Sequence, residues 1–158
     1  MYNPRYLRER LPGELERATR YGRALSLLVI DCDNFTRIND CYGHLEGDKV
    51  LQTLARVIQE CLRRSDSAFR YGGEEFVVLL PETESSAAVA LADRLRGLFE
   101  AQETLMANGE IIRCTISIGV SQHVLTDTES TLIRRADNAC YVAKERGRNR
   151  VVLEDSAG

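Results

Sequence analysis

The sequence RYGGEEF occupies residues 70–76 and is followed by the apolar run VVLL at residues 77–80. Gly72 and Gly73 favour a tight reversal because glycine tolerates positive φ, so the stretch predicts a β-hairpin with strands over 67–71 and 75–80. Pro81 then ends the second strand. The adjacent carboxylates Glu74 and Glu75 lie on this turn, where a metal ion would offset their charge.

Helical and strand patterns alternate on both sides of this hairpin. The apolar spacing predicts helices over 5–21, 46–62, 85–99 and 128–146, and further strands over 25–30, 111–120 and 151–153. This order predicts an α/β (α+β) fold with a mixed central sheet, flanking helices and a split βαβ core. In that topology the strand ends bring Asp31 and the pair Glu74-Glu75 together.

The bulk composition limits the classes of function. The chain has 158 residues, of which 44% are hydrophobic and 28% charged, as expected for one compact domain over residues 1–158. A net charge of -3 argues against nonspecific nucleic-acid binding. No apolar stretch approaches the roughly 20 residues that span a bilayer, so we expect no membrane contact by this domain.

The cysteines indicate a reducing compartment. Five cysteines are scattered along the chain without CxxC spacing. This pattern is typical of reduced thiols that pack in a cytoplasmic protein, and the Arg- and Glu-rich N-terminus does not match a signal peptide.

The segment DCDNF at residues 31–35 follows the first predicted strand. A carboxylate at the end of a buried strand is rigidly held, and oxygen ligands suit Mg²⁺. The alternative is that Asp31 or Asp33 caps the following turn. Together with Glu74 and Glu75 after a second strand, the metal site is the favoured interpretation.

A polar cluster lies between the first strand and the next helix: Asn39, Asp40, His44, Gly47 and Asp48. Asparagine and aspartate side chains match the donor and acceptor pattern of a guanine edge. The alternative is helix capping by Asp40 or His44 with a turn at Gly43, and spacing alone leaves both open.

Two further segments contain basic residues, and each allows a structural and a functional interpretation. Lys144 and Arg148 close the last helix, where they complement the helix dipole or reach the phosphates of a nucleotide. Arg63 and Asp66 end the second helix, where the residues themselves favour a solvated helix end.

Taken together, these blocks resemble a GGDEF domain, the diguanylate cyclase family. The matching blocks lie in order at residues 31–35, 38–40, 42–48, 70–76, 117–120, 136–137 and 143–149. The resemblance implies a fold related to nucleotidyl cyclases and polymerase palms. It also implies condensation of two GTP molecules into cyclic di-GMP with release of pyrophosphate, across a homodimer that carries one GTP per subunit.

The resemblance also assigns roles at the acidic blocks. Asp31 and Glu74 would hold Mg²⁺ (or Mn²⁺), with the backbone carbonyl of Cys32 as a further ligand and Glu75 close to the metal. Glu74 would act as general base for the ribose 3′-hydroxyl.

The remaining blocks would bind the nucleotides. Asn39 and Asp48 would read guanine with His44 lining the site, and Lys144 and Arg148 would bind the terminal phosphates. The resemblance also implies an inhibitory cyclic di-GMP site of the Arg-x-x-Asp type. Its residues would be Arg63, Asp66 and Arg94. In the family the last of these is often lent by a neighbouring subunit.

Two departures from the family pattern matter. Thr36 stands where the family usually has lysine, which removes a phosphate contact that Arg37 could replace. Residues 2–5 begin inside the family's opening segment, with Pro4 in place of arginine, so we expect a catalytic domain cut from a longer protein. These departures motivate an alternative, a catalytically weak module that binds GTP or cyclic di-GMP and signals through a partner; a structural dimerisation domain is the third hypothesis.

Overall fold

A computed structural model describes Met1 and residues 3–154; Tyr2 of the opening segment, and residues 155–158 of the expected domain, lie outside the described residues. The helices are α1 (Pro4–Tyr21), α2 (Phe35–Tyr42), α3 (His44–Cys61), α4 (Ser85–Glu100) and α5 (Glu129–Glu145). The strands are β1 (Leu25–Cys32), β2 (Ser67–Arg70), β3 (Glu75–Pro81), β4 (Thr104–Leu105), β5 (Ile111–Ile112), β6 (Ile116–Gln122) and β7 (Val151–Leu153).

Five strands form a mixed sheet in the order β2-β3-β1-β6-β7. β3 pairs antiparallel with both β1 and β2, so β1 and β2 run parallel with β3 between them. β6 pairs antiparallel with β1 and parallel with β7. The strand–helix–strand unit from β1 to β2 is therefore split by β3, which confirms the predicted split βαβ core and mixed sheet.

Helices cover both faces of the sheet, because successive side chains of each central strand point to opposite faces. On β1, Leu28 and Ile30 pack into the core cluster that includes residues of α2, α3 and α4. Leu27 and Val29 pack into the second cluster, with residues of α1 and α5. A strand that is buried on both faces reads as a continuous apolar run, as residues 25–30 do.

Helix α5 packs against the sheet at very short distance over Gly119. A Cβ atom added at this position would lie 1.9 Å from the carbonyl oxygen of Ala136 and 2.3 Å from the backbone nitrogen of Cys140. Only glycine allows the α5 backbone to rest on β6 at this point. The contact fixes the distance between α5 and the sheet, and therefore the positions of the side chains on the last turns of α5.

Three sequence predictions of local structure are wrong. A short helix, α2, occupies Phe35–Tyr42, where no helix was predicted. The single strand predicted over 111–120 is divided into β5 and β6, because β5 pairs with β4 in a separate two-stranded sheet. Gly72 and Gly73 form the predicted reversal, but neither has a positive φ.

The cysteine prediction is confirmed for four of the five residues. Cys32, Cys61, Cys114 and Cys140 are buried free thiols, whereas Cys41 is exposed on α2. Among the helices of the described residues, none is long and apolar enough to cross a membrane.

The substitution Gly119→Ala tests the close packing of α5. The added methyl group meets backbone atoms that cannot rotate away, so we expect the free energy of unfolding to fall by about 1–3 kcal/mol or more. Urea denaturation measures it. The matched control is Gly97→Ala inside α4, where a Cβ meets nothing within 4 Å and where alanine should stabilise by about 0.5–1 kcal/mol. Equal stability of the Gly119→Ala variant and the unchanged protein would contradict the packing argument.

Candidate active site

The end of β1 brings the acidic blocks of the sequence together. Asp31 pairs with Glu75 on β3 and with Ser117 on β6. The backbone N–H of Cys32 donates a hydrogen bond to the carbonyl of Glu74, with 3.3 Å between nitrogen and oxygen. The predicted meeting of Asp31 with the Glu74-Glu75 turn is therefore confirmed, and it follows from strand register.

Burial and mutual repulsion disfavour negative charge in this acidic cluster. Burial raises the pKa of Asp31 and of Glu74, and the charge of Asp31 raises the latter further. Burial also raises the pKa of Glu75 to about 7, with added contributions from Asp137 and Asp31. A cation at this end of the sheet would relieve the repulsion.

Asp137 is a member of the cluster that sequence reasoning did not assign to the site. It lies on α5, where the charge of its carboxyl group raises the pKa of Glu75. Its spacing is the signal that could have revealed it. Asp137 and Lys144 are seven residues apart on one helix, which places them on the same face two turns apart.

Lys144 is the cation nearest to the cluster. Its Nζ lies 2.9 Å from Oδ1 of Asp31, and the two groups form an ion pair. Arg148 follows in the turn after α5 with an exposed side chain. Within residues 3–154, that side chain has no hydrogen-bond or ion-pair partner. The structure thus separates the two predicted phosphate ligands, because one already contacts a carboxylate and the other is free.

The carboxylate of Asp33 does not cap a helix. Its buried carboxylate accepts hydrogen bonds from the hydroxyls of Thr115 (2.7 Å) and Ser117 (2.6 Å), and from the backbone N–H of Asn149 (3.0 Å). The N-cap of α2 is Asn34, with no side-chain capping bond, so the capping alternative for Asp31 and Asp33 is wrong. Asp33 instead ties β1 to β6 and to the turn after α5.

The oxygen atoms of the acidic cluster are of the type that binds a divalent cation. Its carboxylates offer oxygen ligands, and Oδ1 of Asp31 is a buried oxygen that has no hydrogen-bond partner among the described residues besides its ion pair with Lys144. The side chain of Cys32 is buried in the hydrophobic core, so that residue would contribute its backbone carbonyl. Among the described residues, no three His, Cys, Asp or Glu side chains are already arranged around one metal position.

The predicted guanine-reading residues come from two consecutive helices. Asn39 lies on α2, and its Oδ1 is buried without a hydrogen-bond partner. A Cβ at Gly47 of α3 would lie 1.9 Å from this oxygen, so glycine there lets the amide approach the helix that carries Asp48. His44, the first residue of α3, and Asp48 are exposed. Gly43 turns the chain between the helices with φ 90°, and no side chain caps α3.

Arg63, Asp66 and Arg94 line one groove of about 500 Å³ between the end of α3 and the start of α4. Asp66 is buried and accepts hydrogen bonds from the backbone N–H of Arg63 (2.9 Å) and from its guanidinium (3.2 Å to Nη2). The same guanidinium donates to Thr83 Oγ1 at 2.7 Å. Asp66 is thus part of the buried structure, whereas the side chain of Arg63 is 59% exposed, as the solvated-end interpretation predicts. Arg94 of the same chain reaches the groove.

The comparison with protein families gives one match that spans most of the chain. The model of the family "Diguanylate cyclase, GGDEF domain" matches residues 1–150. Among curated proteins, diguanylate cyclase A of Treponema denticola is 50% identical over 131 residues, which are 82% of this chain and 35% of that protein. The chain spans about a third of the length of the curated relatives it matches first.

Solved structures agree with this match. The GGDEF domain of DgcB from Caulobacter crescentus in complex with c-di-GMP superposes with a TM-score of 0.94 at 29% identity, over 98% of this chain and 91% of that one. The active GGEEF domain of a diguanylate cyclase from Vibrio cholerae gives 0.90 at 34% identity, over 99% of both chains. The Vibrio cholerae domain is a GGEEF domain, and residues 72–76 here have the same order, Gly-Gly-Glu-Glu-Phe.

The raised pKa of Glu75 predicts a pH-dependent stability. The folded protein favours the protonated carboxyl of Glu75, which therefore contributes to the free energy of unfolding. This contribution is fully present below about pH 4.5 and is lost as the pH rises through about 7. Glu75→Gln removes this titration. In metal-free buffer, we expect the Tm of the variant to rise relative to the unchanged protein between pH 5 and pH 8. A Tm difference that stays constant over this range in differential scanning calorimetry would refute the expectation.

Proposed function

The chain belongs to the GGDEF-domain family of diguanylate cyclases, and from this premise we propose that it condenses two GTP molecules into cyclic di-GMP, releasing two pyrophosphates. Residues 1–158 would act as one catalytic domain, and two copies would form a homodimer with one GTP each. Because the substrate is GTP, the proposed location is the cytoplasm. The observation that carries the proposal is the strand register that sets Asp31 against Glu75, with Lys144 2.9 Å from Asp31.

The acidic cluster supports the chemical step. Asp31, Glu74, Glu75 and the backbone carbonyl of Cys32 would hold Mg²⁺ or Mn²⁺. Such an ion neutralises the charge that develops on phosphate oxygens during phosphoryl transfer. Glu74 would accept the proton of the attacking ribose 3′-hydroxyl, and its raised pKa improves it as a base near neutral pH.

The surrounding side chains would hold the nucleotide. Asn39 supplies a buried amide oxygen that lacks a partner, which fits an amino or imino donor on the guanine edge. Asp48 would accept from the same edge, and His44 would line the site. Arg148 has a free guanidinium for the terminal phosphates, and Lys144 would bind them from its position beside Asp31.

The homodimer is required by the chemistry of the product. Each new phosphodiester joins the 3′-oxygen of one GTP to the α-phosphorus of the other, with pyrophosphate leaving. One site holds one GTP, so the attacking hydroxyl comes from the partner subunit. Holding the two nucleotides face to face makes the attack effectively intramolecular.

A second candidate is a weak or inactive module that binds GTP or cyclic di-GMP and signals through a partner. Thr36 favours it, because an exposed threonine replaces a lysine expected near the phosphates. Arg37, the next residue, is exposed and lines a cavity of about 440 Å³ together with Asp33. It offers a replacement cation close to the end of β1.

GTP turnover as a function of protein concentration tests the proposed reaction. With Mg²⁺ and saturating GTP, we expect the rate per subunit to rise with concentration until the dimer saturates. Glu74→Ala should lower kcat by at least about a hundredfold, because the general base and a metal ligand are lost together. Glu60→Ala, which removes an exposed glutamate on α3, is the matched control and should keep the activity.

Nucleotide binding without any cyclic di-GMP would reject the cyclase and support the binding module. Absence of both binding and turnover would reject both candidates and leave the structural dimerisation hypothesis. Chromatographic detection of the product, together with calorimetric titration of GTP, separates these outcomes.

The groove of Arg63, Asp66 and Arg94 supports a proposal of feedback inhibition by cyclic di-GMP. Guanidinium groups can stack on guanine and bind phosphate with two parallel hydrogen bonds. In the Arg63→Ala variant we expect the inhibition constant of cyclic di-GMP to rise at least about tenfold. The adjacent exposed Arg64→Ala serves as control and should leave inhibition unchanged. Inhibition curves that coincide for the unchanged protein and the Arg63→Ala variant would exclude this groove as the inhibitory site.

A further inference from the structure

Arg96 joins helix α4 to the turn that follows α5. Its Nη1 donates a hydrogen bond to Oδ1 of Asn149 at 3.0 Å, across 53 residues of sequence. Its Nε donates to Asp93 at 2.9 Å, and Glu100 lies 3.8 Å from the guanidinium. Only 22% of the Arg96 side chain is exposed. The guanidinium is thus oriented by carboxylates of its own helix and directed at a residue of another element.

The turn that receives this contact has an unusual backbone. Gly147, Arg148 and Asn149 all have positive φ, at 123°, 65° and 49°. Residues other than glycine rarely adopt this left-handed region, because the Cβ atom approaches backbone oxygen. Arg148 carries that cost, whereas asparagine tolerates the region better, so contacts from elsewhere in the fold must hold the turn at Arg148.

The holding contacts converge on Asn149. Its backbone N–H donates to the buried carboxylate of Asp33 at 3.0 Å. Its side-chain amide accepts from Arg96 and donates to Glu100 of the same helix. The turn is therefore fixed by β1 through the main chain and by α4 through the side chain. Arg148 lies directly between Gly147 and this anchored residue.

The side chain of Arg148, unlike that of Asn149, is not held by contacts with other described residues. Its backbone N–H donates to the carbonyl of Ala143, whereas its exposed guanidinium has no partner in the part of the chain that the structure describes. The direction in which it leaves the backbone is set by the left-handed conformation of the turn. Loss of the Asn149 side-chain contact would release that conformation and scatter the guanidinium.

We propose that Arg96 is a positioning residue, which holds the Gly147–Asn149 turn so that Arg148 points at the phosphates of GTP. The inference rests on the proposed function, since it assigns Arg148 to that nucleotide. The alternative is that Arg96 only forms surface ion pairs within its own helix. Such pairs with residues three and four positions away are common on helices and contribute little to stability. The contact to Asn149 and the low exposure of the side chain argue against that role.

Binding of the α,β-methylene analogue of GTP, with Mg²⁺, tests this inference without turnover. We expect Arg96→Ala and Asn149→Ala each to weaken binding about tenfold, and the double variant to lose no more than Asn149→Ala alone, because that change already removes the contact with Arg96. Arg96→Lys keeps the charge and the alkyl stem but not the planar fork, so intermediate affinity is expected. In steady-state assays KM should rise more than kcat falls.

The matched control is Arg56→Ala on α3. Arg56 also pairs with a glutamate four residues on and with an amide, Gln102, yet it contacts no part of the phosphate turn. It should bind the analogue as the unchanged protein does. Tm values for all variants separate loss of binding from loss of folding, and Arg96→Lys decides the matter if Arg96→Ala does not fold.

The outcomes of this experiment are distinguishable. Unchanged affinity in Arg96→Ala, or additive losses in the double variant, would overturn the positioning role while the proposed cyclase stands. Failure of the unchanged protein to bind the analogue would overturn both. Equal loss of affinity in Arg56→Ala would also overturn the role, because the effect would then be a general one of helix charges.

Discussion

The buried carboxylate of Asp33 is the constraint on which the candidate site depends. It accepts hydrogen bonds from residues 82, 84 and 116 positions away in the sequence. A buried carboxylate is tolerated only when hydrogen bonds replace its hydration, and here three donors do so. Because the donors lie on β6, on the segment before it and in the turn after α5, their satisfaction fixes all of these relative to the end of β1.

The acidic cluster beside Asp33 illustrates the opposite condition. Asp31, Glu74 and Glu75 are close together, partly buried and incompletely paired, and their pKa values are raised in consequence. Lys144 offsets only part of this charge. Concentrated negative charge without full compensation reduces the stability of the folded protein and makes binding of a cation more favourable. Asp31 and Asp33 are two residues apart in the sequence, yet only the carboxylate of Asp33 is fully compensated by hydrogen bonds.

The hairpin of β2 and β3 connects the two candidate sites physically. Its tip carries Glu74, and its open end lies at the groove where Asp66 precedes β2 and Thr83 follows β3. Helix α4 forms a second connection, because Arg94 lines that groove while Arg96 holds the turn after α5. Both elements contribute residues to the same core cluster, so the acidic end of the sheet and the groove are connected through the packed interior.

The sequence by itself determined the apolar strands, most of the helix bounds, the mixed sheet and the meeting of Asp31 with Glu75, because periodicity reports which faces of each element are buried. It missed α2 as a helix and the division of residues 111–120, where pairing with another segment decides the structure. Only the tertiary structure showed that Asp33 connects distant segments by hydrogen bonds, that Asp137 joins the acidic cluster and that Gly119 allows α5 to pack closely against the sheet. These roles depend on contacts between segments far apart in the chain. The local spacing of residues does not specify which distant atom will lie within hydrogen-bonding or van der Waals distance.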